Sequence, residues 1–348
     1  MSRKKRAKPN VARDEAFMRR ALAEAKKGIG RTSPNPTVGA LIVRGGRVVA
    51  RGYHRAAGLP HAEIEAIRAV KHLARCRGAT LYVTLEPCST RGRTPPCTDA
   101  IIAAGISRVV YGATDPNPRH AGRAGKILRA AGIAVTSGVL ADHCTAINRA
   151  FNHWITTRRP WVIAKCAMSL DGRLTRPPGE SQWLTSPRAR RHAQELRARV
   201  DAIVVGAATI RADNPRLTVR GIRDARQPWR VVLTRSGKIP RGANVMTDAH
   251  RERTLVLRGR SLPRVLSELG ARDITSVLIE GGGDVLGQAF DQRLVNEIHF
   301  YYAPLLLGGP VAAIAGLGVG TNEARLRLTQ PKWETVGRDL CLRAQVSD

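Results

Sequence analysis

His61, Glu63, Cys88 and Cys97 are the residues whose types and spacing point most directly to chemistry; they lie in "HAEIEA" and "LEPCSTRGRTPPC". A catalytic zinc ion takes three protein ligands and keeps one position open. His61, Cys88 and Cys97 supply three ligands, and Glu63 becomes the group that moves the proton. Residues two apart diverge around a helix, so a His-x-Glu pair serves one centre only at a helix entry. Pro60, directly before His61, fits that placement. Cys88 follows an apolar strand pattern and Cys97 opens a helical one, where the helix N-terminus favours a thiolate. A second pattern is "SVLIEGGGDVLGQAF", an apolar strand ending in Glu280 and three glycines before a helix. Unobstructed amides at a helix start suit a phosphate, although a tight turn without a ligand explains the local pattern equally well.

Each of the four zinc-type residues is weak evidence alone. A histidine at a helix start is usually a cap, and a cysteine is often a small buried hydrophobe. Together, in order and at strand and helix ends, they favour a zinc hydrolase. A purely structural zinc site wants a fourth ligand, and no further Cys or His stands at a matching spacing. The deaminase signature is H-x-E … P-C-x-x-C. Here eight residues separate the two cysteines, an insertion that the pattern alone leaves unexplained.

The elements that must position these residues fall into two sets. A chain of 348 residues predicts two domains of about 150 residues each. We expect a basic disordered tail over 1–11, a first domain over 12–157 and a second over 158–348. "RDEAFMRRALAEAKKG" reads as an amphipathic helix, and "TVGALIV" and "RVVARGYH" as strands joined at Gly45-Gly46. Strand and helix then alternate through "ATLYVTLEP", "CTDAIIAAG", "RVVYGAT", "GKILRAAG" and "IAVTSGVL", ending in one long helix, "ADHCTAINRAFNHWITT". That alternation implies a largely parallel sheet covered on both faces. After "TTRRPW" the pattern restarts with "WVIAKCAMS", then a helix from Ser186 and Pro187, and the strands "WRVVLT", "TLVLR", "SVLIE" and "EIHFYYAP". No G-x-G-x-x-G opens a strand–helix unit, so an ordinary dinucleotide fold has little support.

The net charge is +31. A nucleic-acid or membrane-surface role is the direct reading of such a charge. The excess is spread along the whole chain, however, and only "MSRKKRAKPN" is a cluster, which favours a compositional habit over a binding patch. No apolar run is long enough to span a bilayer, and no apolar signal segment opens the chain. We therefore expect the cytoplasm, where cysteines more often bind metal or do chemistry than pair.

The string "PNPTVGALIV … GYH … GLPHAEIEAI … YVTLEPCSTRGRTPPCTDAIIAAGI … DPNP" resembles the deaminase half of the RibD family of bifunctional riboflavin-biosynthesis proteins. "KCAMSLDGR", "GESQWLTS", "RARVDAIVVGAATIRADNPRLTVR", "EGGG" and "APLLLGG" resemble its reductase half. Together the two resemblances cover nearly all of the chain beyond the tail. They imply an α/β protein with an N-terminal cytidine-deaminase-like three-layer α/β/α domain and a C-terminal dihydrofolate-reductase-like α/β domain. In that family the widened cysteine gap is the norm.

The resemblance implies that His61, Cys88 and Cys97 hold zinc, that Glu63 is catalytic, and that a diaminopyrimidinone bearing a phosphoribosylamino group loses ammonia by hydrolysis. For the second half it implies NADPH-dependent reduction of the ribosyl group to ribityl. Ala167, Trp183, Thr209 and Asp213 would line the cofactor site with Gly282, Gly283, Asp284, Val285, Leu286 and Gly287. Ser181, Arg197, Leu217, Arg220 and Glu280 would contact the substrate, the two arginines at its phosphate. Lys165 would be a proton donor or an electrostatic partner.

Three departures stand out against that family. His120 and Ala124 in "DPNPRHAGRAG" replace a valine and a glycine. Thr234-Arg235 replaces Asp-Ser, which suggests Arg235 for the cofactor's extra phosphate. Asn296 replaces an aspartate. The implied partners are the phosphorylated pyrimidine and NADPH, with no membrane and no nucleic acid; a homo-oligomer stays open. Two other readings stand beside this one, a chain with one active half and a nucleic-acid-editing zinc deaminase.

Overall fold

The structure is a computed structural model that describes residues 11–90, 95–118, 120–174, 183–318, 320–321 and 325–347. The expected tail lies outside these except for Val11, which opens a helix ending at Ala25. The chain divides into two compact units, Met1–Thr156 and Thr157–Asp348.

The first unit is built on β1 (Gly39–Arg44), β2 (Arg47–Tyr53), β3 (Thr80–Leu85), β4 (Arg108–Ala113) and β5 (Ala134–Ser137). The sheet order is β2-β1-β3-β4-β5. β1 runs antiparallel to β2 and β3, and the remaining pairs are parallel. Gly45 and Gly46 make the β1–β2 turn with φ of 56° and 77°, the left-handed pair that a two-residue hairpin prefers.

Glycines mark where helices press on this sheet. A Cβ at Gly39 would meet the backbone of helix Val11–Ala25, one at Gly112 would meet Cys144 of helix Ala141–Ala146, and one at Gly52 would meet helix Ala62–Arg68. Ala40 pairs with Gly52 and with Val83, and Val83 pairs with Tyr111. Side chains alternate along a strand, so Gly39 and Gly112 share one face and Gly52 lies on the other. The unit therefore has three layers, α/β/α.

The single long helix expected at 141–157 is two, Ala141–Ala146 and Arg149–Thr157. Buried Asn148 between them accepts from the Thr37 amide at 2.7 Å and donates to the Thr37 carbonyl at 3.0 Å. Side-chain pairing of this kind competes with helical continuity.

The second unit holds β6 (Trp161–Ser169), β7 (Ala202–Gly206), β8 (Trp229–Thr234), β9 (Thr254–Arg258), β10 (Ser276–Ile279), β11 (Glu297–Ala303), β12 (Arg327–Val336) and β13 (Asp339–Ser347). Their order is β12-β13-β11-β6-β10-β7-β8-β9. From β11 to β9 all pairs are parallel, so the carboxyl ends of β6, β10, β7 and β8 share one edge. Helix Pro187–Arg197 covers the face carrying Ile163, Ile203, Val205 and Leu278; helices Leu262–Ala271 and Gly283–Asp291 cover the face of Val162, Ala164, Val204 and Val277. Ser186 caps the first of these helices, accepting from the Ala189 amide at 3.3 Å.

The β12–β13 hairpin has no counterpart in the sequence reading. β12 is exposed along nearly all of its length, and its register shifts between Thr329 and Lys332, around Pro331. An edge strand without a buried face carries no apolar alternation to read. Asn296 bridges strands without a charge, its Oδ1 accepting from the Val162 amide at 2.8 Å. Among the described residues no helix is long and apolar enough to cross a membrane, and all six cysteines are free thiols.

Candidate active sites

In the first unit His61 is the N-cap of helix Ala62–Arg68, with an extended backbone (φ −69°, ψ 163°), and Glu63 lies in the first turn. Cys97 opens helix Cys97–Ala103 after Pro96. Sγ of Cys88 and Sγ of Cys97 stand 3.5 and 3.3 Å from His61 Nδ1, and the Cys97 amide donates to Cys88 Sγ at 3.2 Å. The three donor atoms all lie within 4.8 Å of one another. A nitrogen and two sulfurs at this separation fit a tetrahedral zinc ion, with Glu63 beside them as a non-ligand.

Electrostatics support that fit. The hydrogen bond to Cys88 pushes His61 up to about 9. The Cys97 thiol, followed by His61, draws the Cys88 thiol down, while Cys88 and then burial drive the Cys97 thiol up. One acidic thiol held against a second thiol and an imidazole is a donor set that a divalent cation completes. Burial pushes Glu63 up to about 7, close to the operating pH that acid–base work wants.

Two supporting residues sit inside the quoted motifs without having been assigned a role. His54, from "GYH", has its ring edge-on to His61 at 5.4 Å. Its Nδ1 lies 3.0 Å from the Pro60 carbonyl and its Nε2 3.1 Å from Asn35 Nδ2. Burial lowers its pKa, so a neutral ring donates from Nδ1, accepts at Nε2 and props the helix entry. Glu86, from "LEPC", is buried and accepts from the amides of Asp115, Gly122 and Ala124. Both are polar residues within an otherwise apolar pattern, and that is the signal that marks them.

In the second unit Glu280 follows β10, and its carboxylate takes both arms of Arg197, Nε and NH2 each at 2.7 Å. Lys165 on β6 places Nζ 3.8 Å from the same carboxylate. Burial alone would raise Glu280; Arg197, then Lys165, outweigh it and hold it at about 2. The third arm of Arg197 donates to the Thr218 carbonyl at 3.2 Å. Arg197, expected at a substrate phosphate, is thus largely committed to Glu280. Arg220 is the more accessible of the two, with NH1 at 3.2 Å from Thr218 Oγ1.

The residues expected at the cofactor follow the carboxyl ends of parallel strands, where open α/β sheets bind ligands. Thr209 and Asp213 lie on the helix after β7, Arg235 follows β8, and the glycines follow β10. Thr209 Oγ1 accepts from the Gly282 amide at 3.1 Å. Ala167 lies on β6, and half-exposed Trp183 stacks under Arg190, whose guanidinium carbon is 4.9 Å from the ring centre.

The run 282–287 is not one open cradle. A Cβ at Gly283 would lie 2.3 Å from the Ala312 carbonyl, and one at Gly287 1.4 Å from that of Ala315. Val285 and Leu286 are buried in the core. Gly282 is half-buried and Asp284 exposed, and close packing excludes a side chain at 283 and 287. Leu217, expected at the substrate, has its side chain buried and its backbone at φ 54°. Ser181 lies outside the described residues.

Comparison with known proteins joins the two halves. Residues 11–113 match the cytidine and deoxycytidylate deaminase zinc-binding region, and residues 160–342 match the RibD C-terminal domain. The riboflavin biosynthesis protein RibD of Actinobacillus pleuropneumoniae is 40% identical over 94% of both chains, and that of Synechocystis is 41% identical over 94% of both. Among solved structures, Acinetobacter baumannii RibD superposes with a TM-score of 0.89 at 34% identity, covering 97% of this chain and 100% of that one. The Thermotoga maritima diaminohydroxyphosphoribosylaminopyrimidine deaminase/5-amino-6-(5-phosphoribosylamino)uracil reductase does so at 0.87 and 34%, with the same coverage.

Proposed function

This chain belongs to the RibD family of bifunctional riboflavin-biosynthesis enzymes, and we propose how its residues divide the work. The first unit hydrolyses the amino group of diaminohydroxyphosphoribosylaminopyrimidine. The second reduces the ribosyl group of 5-amino-6-(5-phosphoribosylamino)uracil to ribityl with NADPH. The observation that carries this reading is the convergence of His61, Cys88 and Cys97 on one point beside buried Glu63.

His61, Cys88 and Cys97 would hold zinc, which would supply the Lewis acidity that makes water nucleophilic at neutral pH. Glu63 would take a proton from the attacking water and pass it to the departing amine. A carbon–oxygen bond forms, the carbon–nitrogen bond breaks, and ammonia leaves. The imidazole of His54 keeps the helix entry, and with it His61 and Glu63, in place.

In the second unit NADPH supplies the hydride, and the protein supplies position and charge. Thr209 and Gly282 form a polar ledge, with Ala167, Trp183, Asp213 and Asp284 around it. Exposed Arg235 reaches the cofactor's extra phosphate. Arg220 takes the substrate phosphate, and Arg197 holds Glu280 ionised and oriented toward the sugar. Lys165, held beside Glu280, would supply the proton that accompanies reduction at the first sugar carbon.

The test is a paired assay on the purified, zinc-loaded chain. Ammonia release from the diaminopyrimidinone ribosyl phosphate, followed by NADPH oxidation, is the expected order. NADPH oxidation before any ammonia release would contradict it.

A further inference from the structure

The loop after β4 carries the sequence "DPNPRHAGRAG", and its path is fixed by hydrogen bonds. The Glu86 carboxylate receives the amides of Asp115, Gly122 and Ala124 at 3.3, 2.9 and 3.1 Å. Asp115 accepts in turn from the Asn117 amide at 2.9 Å, and the His120 amide donates to the Asn117 carbonyl at 2.8 Å. His120 is therefore tied through backbone and carboxylates to Glu86, two residues before Cys88. Its ring nitrogens stand 3.3 and 3.4 Å from Oγ1 of Thr90, two residues after Cys88. Ala124 is fully buried, so its methyl group is absorbed in packing. The imidazole meets the segment that carries Cys88, through Thr90.

Glu63 is buried, whereas Thr90, two residues after Cys88, and His120 against it are half-buried. A substrate that presents its amino-bearing ring carbon to Glu63 must carry its phosphoribosyl tail outward past the exposed side. The Thr90 hydroxyl pairs with one ring nitrogen at a time; when it donates there, the other ring nitrogen carries the N–H. That N–H, held in place by Thr90, is a donor suited to a phosphate oxygen.

We propose that His120 is a specificity-determining residue of the deaminase site, oriented by Thr90 and donating its N–H to the phosphate of the substrate's tail. This rests on the reading of the first unit given above.

The experiment compares wild type with His120→Val and His120→Gln as full-length, zinc-loaded protein. One equivalent of zinc and an unchanged melting midpoint show that each variant is folded. For the phosphorylated substrate, His120→Val raises KM about tenfold, the loss of one hydrogen bond to a charged group, with kcat unchanged. His120→Gln, which keeps a donor, recovers part of that loss. The dephosphorylated riboside shows no difference between wild type and His120→Val. Calorimetric binding of the phosphorylated substrate to the Glu63→Ala protein weakens by the same factor when His120→Val is added. An unchanged KM in His120→Val, with wild type active, overturns the assignment and leaves the deaminase reading intact. An equal rise with the riboside also overturns it, because the contact is then to the sugar. A wild-type protein that releases no ammonia overturns both.

Discussion

In the first unit two thiols and an imidazole crowd a half-buried point, and protons are displaced in opposite directions among them. Two thiols and an imidazole form a donor set that a divalent cation from outside completes. In the second unit a buried carboxylate meets Arg197 in two hydrogen bonds and Lys165 at 3.8 Å, and the charge is balanced by the protein itself. On this reading a metal completes the first site, and the second is paired within the protein before any ligand arrives. Loss of zinc should therefore silence one site and spare the other, while acid and charge deletion should strike the second.

The largest effect expected of a single residue is at Glu63. Glu63→Ala should lower deamination by about 10²- to 10⁴-fold, the usual worth of a positioned acid–base group. Zinc content, measured by atomic absorption, should stay at one per chain, because Glu63 is no ligand. Glu280→Ala should come next. It leaves Arg197 buried and unpaired, which costs about 3–5 kcal/mol. That loss should appear as a lower urea midpoint for the second unit, with ammonia release unchanged.

The pH dependence sharpens the contrast further. Glu280 is held at about 2, burial being outweighed by Arg197 and Lys165. Glu297 is also held at about 2, burial being outweighed by His299 and Arg343. Both lie below the ordinary 4.5. The unfolded chain therefore takes up these protons first as pH falls. Their contribution is fully present above about 4.5 and is lost progressively from there down to about 2. Urea titrations at pH 6 and pH 3 should show the second unit losing on the order of several kcal/mol. The smallest effect is expected at Arg235. Arg235→Ser should reduce the preference for NADPH over NADH about three- to fivefold, as befits an exposed ion pair, measured as the ratio of kcat/KM values.

The two sites also differed in how legible they were. The zinc-type cluster could be read because its chemistry demands particular residue types at a strand end and two helix entries, and those positions are marked by Pro60, Pro96 and the apolar runs. The parallel strands β6, β8 and β9 could be read from continuous apolar segments. The Arg197–Glu280 pairing could not, because its partners are 83 positions apart and an arginine among 48 carries little local information. The closed side of Gly283 and Gly287 was hidden for a similar reason, since the carbonyls that fill it come from Ala312 and Ala315. A buried asparagine at 148 broke a helix that composition alone would continue. An exposed edge strand, β12, offered no apolar face to detect.

The most direct test is to remove zinc with a chelator and follow both reactions on the same preparation, supplying the deaminated substrate for the second. Ammonia release should fall to background and return when zinc is restored, while NADPH oxidation continues undiminished. Ammonia release that persists without zinc, or NADPH oxidation that disappears with it, would contradict the account of one metal-assembled and one self-assembled site.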